Sequence, residues 1–394
     1  MIVLKLLVIA PSYNYFIKSI VEAQSKYVDK IDVLVHHNNL AEISNYIFFV
    51  RYFDHIRRYT KKNLIDEKDT PENVKVHLIS TLYFIPDGSN KRLGDRLAKK
   101  FDEYIMRNRL EFDLIHAHFT WPAGYVGSKL KEKHDVPLIV TAHGFDIYDL
   151  PFRDNEWRKK IRYVLNAADY VVTVSDRNLK CIKKLNIKTP VKVLPNGFRR
   201  DLFYPKDYNE SKKTLNLPLD KKIILTVGNL AEVKGHRYLI EAMQEVVKRR
   251  KDVMCIIVGG GKLETQLKNQ IEKLDLNDNV ELVGPKPHDE ISIWMNACDI
   301  FVLPSLNEGN PTVMFECLGC GTPFIATKVG GIPEIITSED YGILCEPGNA
   351  KELSQKILIA FEKEWKREKI RKYAERFTWD KITNEIIKIY KEML

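Results

Sequence analysis

The chain has 394 residues, with 62 Lys and Arg against 53 Asp and Glu, a net charge of +9 and 44% hydrophobic residues. Single hydrophobic cores stop growing at about 250–300 residues, so this length and apolar content predict two domains. With 19 Gly and 17 Pro the composition is ordinary, which excludes collagen-like, low-complexity and generally disordered chains, and no apolar run reaches the roughly 20 residues that cross a bilayer.

The first element, Ile2–Ala10, is apolar apart from Lys5 and runs into Pro11 and Ser12. It lacks a basic leader and a small-residue cleavage site, so it reads as a buried strand rather than a signal peptide. Further strand candidates follow at 31–36, 74–79, 113–117, 137–141, 170–174 and 191–194, each ending in a polar or glycine-bearing turn. A second series starts at 222–227 and continues at 253–258, 280–283, 299–303, 323–326 and 342–345, with amphipathic stretches such as 239–251 between. Short β-branched runs alternating with helical patterns predict an α/β chain of two doubly wound parallel sheets. The boundary falls in the polar stretch 196–218, giving domains 1–200 and 201–378. The final segment 379–394 carries Ile382, Ile386, Ile387, Ile389, Tyr390 and Leu394 as one apolar face.

Charge is divided unequally. Residues 1–200 hold 34 basic and 23 acidic side chains, or +11, whereas residues 201–394 hold 28 and 30, or −2. Two basic runs, 45–62 (interleaved with aromatics) and 91–100, suit peripheral contact with an anionic membrane; they equally suit helices whose aromatics pack inward. No nucleic-acid-binding module accompanies the charge, so nucleic acid is not an expected partner. Six cysteines, all beyond position 180, make no disulfide framework and point to a reducing, cytoplasmic compartment, with a position on the inner membrane face as the peripheral variant. Cys317 and Cys320 form a CxxC without a second pair, which reads as packing in a helix rather than as a zinc site.

The densest chemistry lies in PSLNEGNPTVMFECLGCGTP, residues 304–323. A strand ending at Leu303 leads through a turn into a helix predicted to start near Pro311, a favoured first helical residue. The amides of Gly309, Asn310, Thr312 and Val313 then form an anion site at the positive end of the helix dipole, with Glu308 at its mouth. Glu316, further along, suits a vicinal diol such as a ribose; the plain alternative is a solvent-facing glutamate. VGNLAEVKG (227–235) places Lys234 beside another helix start, where an ammonium suits a diphosphate. Gly259, Gly260 and Gly261 follow a strand without matching a dinucleotide or P-loop pattern. Gly330 and Gly331 precede a third helix start. In the first half, IHAHFTWPAG and TAHGFDIY set His116, His118, His143 and Asp146 at strand ends. Their spacing fits substrate contact or structure better than zinc.

The E-x7-E spacing of Glu308 and Glu316, with Gly309, Pro311, Gly321 and Pro323 around it, resembles the retaining glycosyltransferases of family 4. HAHFTWPAG, TAHGFD, ADYVVTVSD, VLPNGF, VGNLAEVKG, VGGGKLETQL, ACDIFVLPS, ATKVGGIPEII and FTWD extend the resemblance over most of the chain. It implies the GT-B architecture, two Rossmann-like domains facing across a cleft, the final helix crossing back to the first domain. It also implies transfer of a sugar from a nucleotide-diphosphate donor to a saccharide or lipid-linked acceptor, in cell-surface polysaccharide, glycolipid or other glycoconjugate synthesis, with retention and without a metal or other cofactor. Carried over, Glu316 binds the donor ribose, Glu308 with Gly309, Asn310, Pro311 and Thr312 holds the transferred sugar, and Lys234 neutralises the diphosphate. His143 sits beside the reacting sugar and Asp146 orients its loop. The base stacks near Gly284 and Lys286.

Two departures stand out. The family's Gly-Arg-Leu is Gly228, Asn229 and Leu230 here, which leaves Asn229 in the donor set and implies either a second cation, Lys262 or Arg199, or a reduced donor affinity. The usual glycine-rich turn after the first strand is APSYNYFIKS, which puts Tyr13 with His118 and Asp146 on the acceptor side. The alternatives are a nucleotide-sugar epimerase or phosphorylase on the same fold, or a non-catalytic sugar-nucleotide or glycan-binding protein.

Overall fold

Strand β1 (Ile2–Ala10) shows how this sequence makes a sheet covered on both faces. Leu4, Leu6, Val8 and Ala10 enter one buried cluster while Leu7 and Ile9 enter another, the alternation that a period of two residues imposes. The computed structural model describes residues 2–44, 59–83 and 87–394. Within them the chain divides into two units, Met1–Pro195 with Trp379–Leu394, and Asn196–Thr378.

The first unit contains β1, β2 (Val28–Asn38), β3 (Val74–Thr81), β4 (Leu114–His118), β5 (Leu138–Ala142), β6 (Tyr170–Thr173) and β7 (Val191–Val193) in the order β3-β2-β1-β4-β5-β6-β7. The second contains β8 (Lys222–Val227), β9 (Val253–Val258), β10 (Val280–Gly284), β11 (Ile300–Leu303), β12 (Phe324–Thr327) and β13 (Gly342–Cys345) in the order β10-β9-β8-β11-β12-β13. Every pairing between these strands is parallel. All thirteen fall on predicted runs; β5, β11 and β12, buried along their whole length, show why, since a strand buried on both faces must be almost continuously apolar. The order reverses between β1 and β4 and between β8 and β11. Loops at the carboxyl ends of those strands are where doubly wound sheets bind ligands.

The terminal helix Trp379–Met393 belongs to the first unit. Ile382, Ile386, Ile387 and Tyr390 are buried in the cluster that contains Leu4 and Leu6. The Tyr390 hydroxyl lies 2.6 Å from His116 Nδ1 and accepts from Gln24 Nε2 at 2.9 Å. His116 Nε2 meets Thr141 Oγ1 at 2.7 Å, so both ring nitrogens of His116 serve the core and none is left for chemistry.

The division between the units falls at Asn196, five residues before the expected 201. Asn196 bonds to Asn310, and the Phe198 amide donates to Phe377 O at 3.0 Å. A Cβ on Gly319 would lie 2.4 Å from the Phe198 ring. These contacts attach the segment after β7 to the second unit.

Of the basic aromatic stretch 45–62, residues 45–58 lie outside the described residues; Tyr59 is buried and Lys61 and Lys62 are exposed. In the run 91–100, Lys91 bonds Asp154 and Glu156, Arg96 donates to Leu82 O and Lys100 to Ser80 O, so much of that charge ties the fold together. Among the described residues no helix is long and apolar enough to cross a membrane. All six cysteines are free, and Cys317 and Cys320 are buried.

Candidate active site

In the second unit the loops after β8, β11 and β12 interlock backbone to backbone. The Leu306 amide donates to Val233 O at 2.7 Å, and the Gly331 amide donates to Gly309 O at 2.8 Å. Gly235 begins the helix His236–Arg249 at φ +65°, and a Cβ there would lie 2.0 Å from Pro304 O. Only glycine satisfies both the left-handed backbone and that approach. Gly330, at φ +59°, plays the same part against Glu308 O.

This packing sets Lys234 against Glu308. Lys234 Nζ donates to Glu308 Oε1 at 2.7 Å, and Ser305 Oγ donates to the same oxygen at 2.7 Å. The Glu308 side chain is only 9% exposed, so its charge needs both donors. Lys234 is therefore held at the turn rather than reaching out alone.

The helix runs over Thr312–Gly319, next to Pro311. Pro311 is extended (φ −70°, ψ 122°) and occupies the cap position. Extension there accompanies a clasp: the Asn196 amide donates to Asn310 Oδ1 at 2.9 Å, and Asn196 Nδ2 donates to Asn310 O at 2.6 Å. With Oδ1 committed, the buried Asn310 Nδ2 has no partner among the described residues. The amides of Gly309, Asn310, Thr312 and Val313 likewise find no acceptor among the described residues. A turn with four available amides at a helix start, next to an ammonium, has the chemistry of an anion site.

Glu316 is not solvent-facing. It is 6% exposed, and His288 Nε2 lies 2.8 Å from its Oε1. His288 was not among the predicted residues, although it opens the helix His288–Asn296 just after the singled-out Gly284 and Lys286. Lys286 Nζ stands 5.7 Å over the Trp294 ring, and Gly284 is at φ +75° with nothing near its Cβ position. Asn229 is exposed, and its carbonyl accepts from the Ala231 amide at 2.8 Å. Of the candidate second cations, Lys262 is exposed and Arg199 pairs with Asp201 at 2.5 Å.

In the first unit, the carboxyl ends of β4 and β5 bring His118 and His143 together, His118 Nδ1 to His143 Nε2 at 3.1 Å. Phe16 and Phe119 flank His143, with ring centroids at 5.1 Å and 4.5 Å. Asp146 holds the two loops: its carboxylate accepts from the amides of Thr120 (2.7 Å), Gly144 (2.8 Å) and His143 (3.1 Å). Tyr13, like His118 and Asp146, is buried. Its amide donates to Leu64 O and its carbonyl accepts from Asp66, which draws the ring into the core at 0% exposure; burial pushes its hydroxyl up to about 12. Among the described residues no group of three or more His, Cys, Asp or Glu is placed to hold a metal ion.

These histidines make stability depend on pH. Burial holds His118 down at about 3 and His236, beside Lys234, at about 4, with His143 also well below its ordinary value. An unfolded histidine titrates near about 6.5, so below that the unfolded chain binds more protons than the folded one. Stability is complete above about pH 6.5 and falls as pH drops toward about 4, on the order of 1 kcal/mol per unit for each such histidine. Asp146, raised by burial despite its amide bonds, acts in the opposite sense, since the folded chain keeps its proton to higher pH. Denaturant titrations at pH 7, 6 and 5 are expected to show the decline; a flat profile would contradict it.

Residues 63–202 match the profile of Glycosyltransferase Family 4, and residues 207–377 that of Glycosyl transferases group 1. An uncharacterized glycosyltransferase of Methanocaldococcus jannaschii is 32% identical over 286 residues, 71% of this chain and 76% of the relative. The putative teichuronic acid biosynthesis glycosyltransferase TuaC of Bacillus subtilis is 31% identical over 319 residues, covering 79% and 78%. A D-inositol 3-phosphate glycosyltransferase of Corynebacterium jeikeium is 28% identical, covering 72% and 73%. In fold the chain is similar to sucrose-phosphate synthase of Thermosynechococcus elongatus (TM-score 0.80, 21% identity, 99% and 98% covered). It is also similar to Anabaena HepE in complex with UDP-glucose (TM-score 0.71, 21% identity, 99% and 100% covered). Two profiles matched in chain order, together with relatives above 30% identity along most of both chains, establish that this protein belongs to glycosyltransferase family 4, among the group 1 glycosyl transferases.

Proposed function

We propose that the chain transfers a sugar from a nucleoside diphosphate donor to an acceptor hydroxyl in glycoconjugate synthesis, with retention of the anomeric configuration and without a resident metal. The observation that carries this reading is the Lys234–Glu308 pair beside the available amides of the 309–313 turn. As the bond from the anomeric carbon to the phosphate oxygen breaks, negative charge grows on the departing diphosphate. Lys234 and the helix amides answer it with fixed positive charge, the part a metal plays elsewhere. A bond forms to the acceptor oxygen on the same face, and the acceptor proton passes to the departing phosphate oxygen. Glu308, accepting from Lys234 and Ser305, takes hydrogen bonds from sugar hydroxyls, and Glu316 those of the donor ribose. His143, in the loop that Asp146 ties, is the proposed contact for the reacting sugar on the acceptor side. The complexes of Anabaena HepE with UDP and UDP-glucose support a nucleotide donor.

A panel of nucleotide sugars and saccharide or lipid-linked acceptors tests the reading, with the product anomer assigned by NMR and EDTA present in one arm. The expected product keeps the donor's configuration and forms in EDTA. Inversion, or activity restored only by a divalent cation, would overturn it. Donor consumed without acceptor would point to an epimerase or phosphorylase instead.

A further inference from the structure

We infer that His288 is a positioning residue for donor selection: it holds one oxygen of Glu316 so that the carboxylate recognises the ribose hydroxyls of a nucleoside diphosphate. The inference rests on the proposed ribose role of Glu316 and goes beyond it. Glu316 sits on the helix Thr312–Gly319, after β11, and His288 opens the helix His288–Asn296, after β10. Their contact at 2.8 Å joins two separate helices of one unit.

The geometry leaves His288 little freedom. Its ring stands edge-on to Phe203, with centroids 5.2 Å apart at 62°, and Phe203 is 1% exposed. Phe203 is in turn anchored by its amide, which donates to Arg199 O at 2.9 Å. An imidazole braced on one side by a buried ring, with Nε2 on the carboxylate, fixes where the second carboxylate oxygen points. A glutamate side chain has three rotatable bonds, and a diol needs its acceptor already oriented, so ordering the acceptor beforehand lowers the entropy lost on binding. The Glu316 side chain, at 7% exposed against 23% for His288, also takes part of its compensation for burial from this contact.

The test measures binding of UDP, GDP and ADP and their 2′-deoxy counterparts by calorimetry, using the tightest ribonucleotide as reference. The proteins are wild type, Glu316→Ala, His288→Gln and His288→Asn, each checked for an unchanged circular dichroism spectrum. A hydrogen bond to a charged group predicts a wild-type preference for the ribose form of about 10- to 100-fold. Glutamine carries a donor at the reach of Nε2 and is expected to keep most of that preference. Asparagine, whose donor stops at the reach of Nδ1, is expected to lose most of it. A purely structural role for His288 would not separate the two amides in this way. Wild-type preference in both His288 variants, or equal loss in both, would overturn the inference while loss in Glu316→Ala left the ribose reading standing. Preference retained in Glu316→Ala, or absent from the wild type, would overturn both.

Discussion

Lys234→Ala is expected to lower the transfer rate by about 10²- to 10³-fold, the cost of removing one fixed positive group from a developing anion. It also leaves Glu308 buried with Ser305 Oγ as its remaining donor. The variant is therefore expected to lose stability as well, on the order of 1–3 kcal/mol, less than a fully buried pair because the Lys234 side chain is 24% exposed. The two effects separate in the double variant Lys234→Ala with Glu308→Gln. An amide needs no counter-charge, so melting temperature returns toward wild type while transfer stays low. Recovery of both would mean that Lys234 acts only by supporting Glu308. Recovery of neither would place the stability loss elsewhere than in the unpaired carboxylate.

Gly330→Ala carries the second large effect. A Cβ at Gly330 would lie 2.1 Å from Glu308 O and 2.9 Å from Gly309 O, on a backbone at φ +59°. Both obstacles are backbone atoms of the turn that presents the amides, so relief requires that turn to move. Left-handed alanine costs about 1–2 kcal/mol and overpacking about 1–3 kcal/mol more. Gly284→Ala supplies the control, because Gly284 is also left-handed, at φ +75°, but has nothing within 4 Å of the new carbon. Gly330→Ala is expected to lower the melting temperature further than Gly284→Ala and to raise the donor KM several-fold, by on the order of 1 kcal/mol in binding. Equal melting temperatures and an unchanged KM would show that the β12 loop does not hold the Glu308 turn.

What the residues revealed in advance follows from the range of the forces involved. β1, β9 and β12 were legible because a strand buried on both faces declares itself locally by continuous apolar residues. The Lys234 and Glu308 turns were legible as separate features, since strand, glycine and helix start follow one another in a few residues. Their pairing was not, because 74 positions separate the two side chains. His288 was missed for the same reason: nothing beside it in sequence signals Glu316. The burial of Tyr13 was not legible either, because it comes from pairing with the segment around Ile65, about fifty positions away. The division between the units at Asn196 lies at the start of the expected stretch 196–218; the Asn196–Asn310 clasp and the Phe198–Gly319 packing there are long-range contacts that local polarity does not register.

Everything proposed for the site requires the Lys234 turn to bind the diphosphate of a nucleotide sugar. Calorimetric titration of UDP, GDP and ADP into wild type and Lys234→Ala at one salt concentration tests it most directly. At least one nucleotide is expected to bind the wild type, and Lys234→Ala to weaken that binding by about tenfold or more, the worth of a charge-assisted contact. Equal affinity in the two proteins would contradict it.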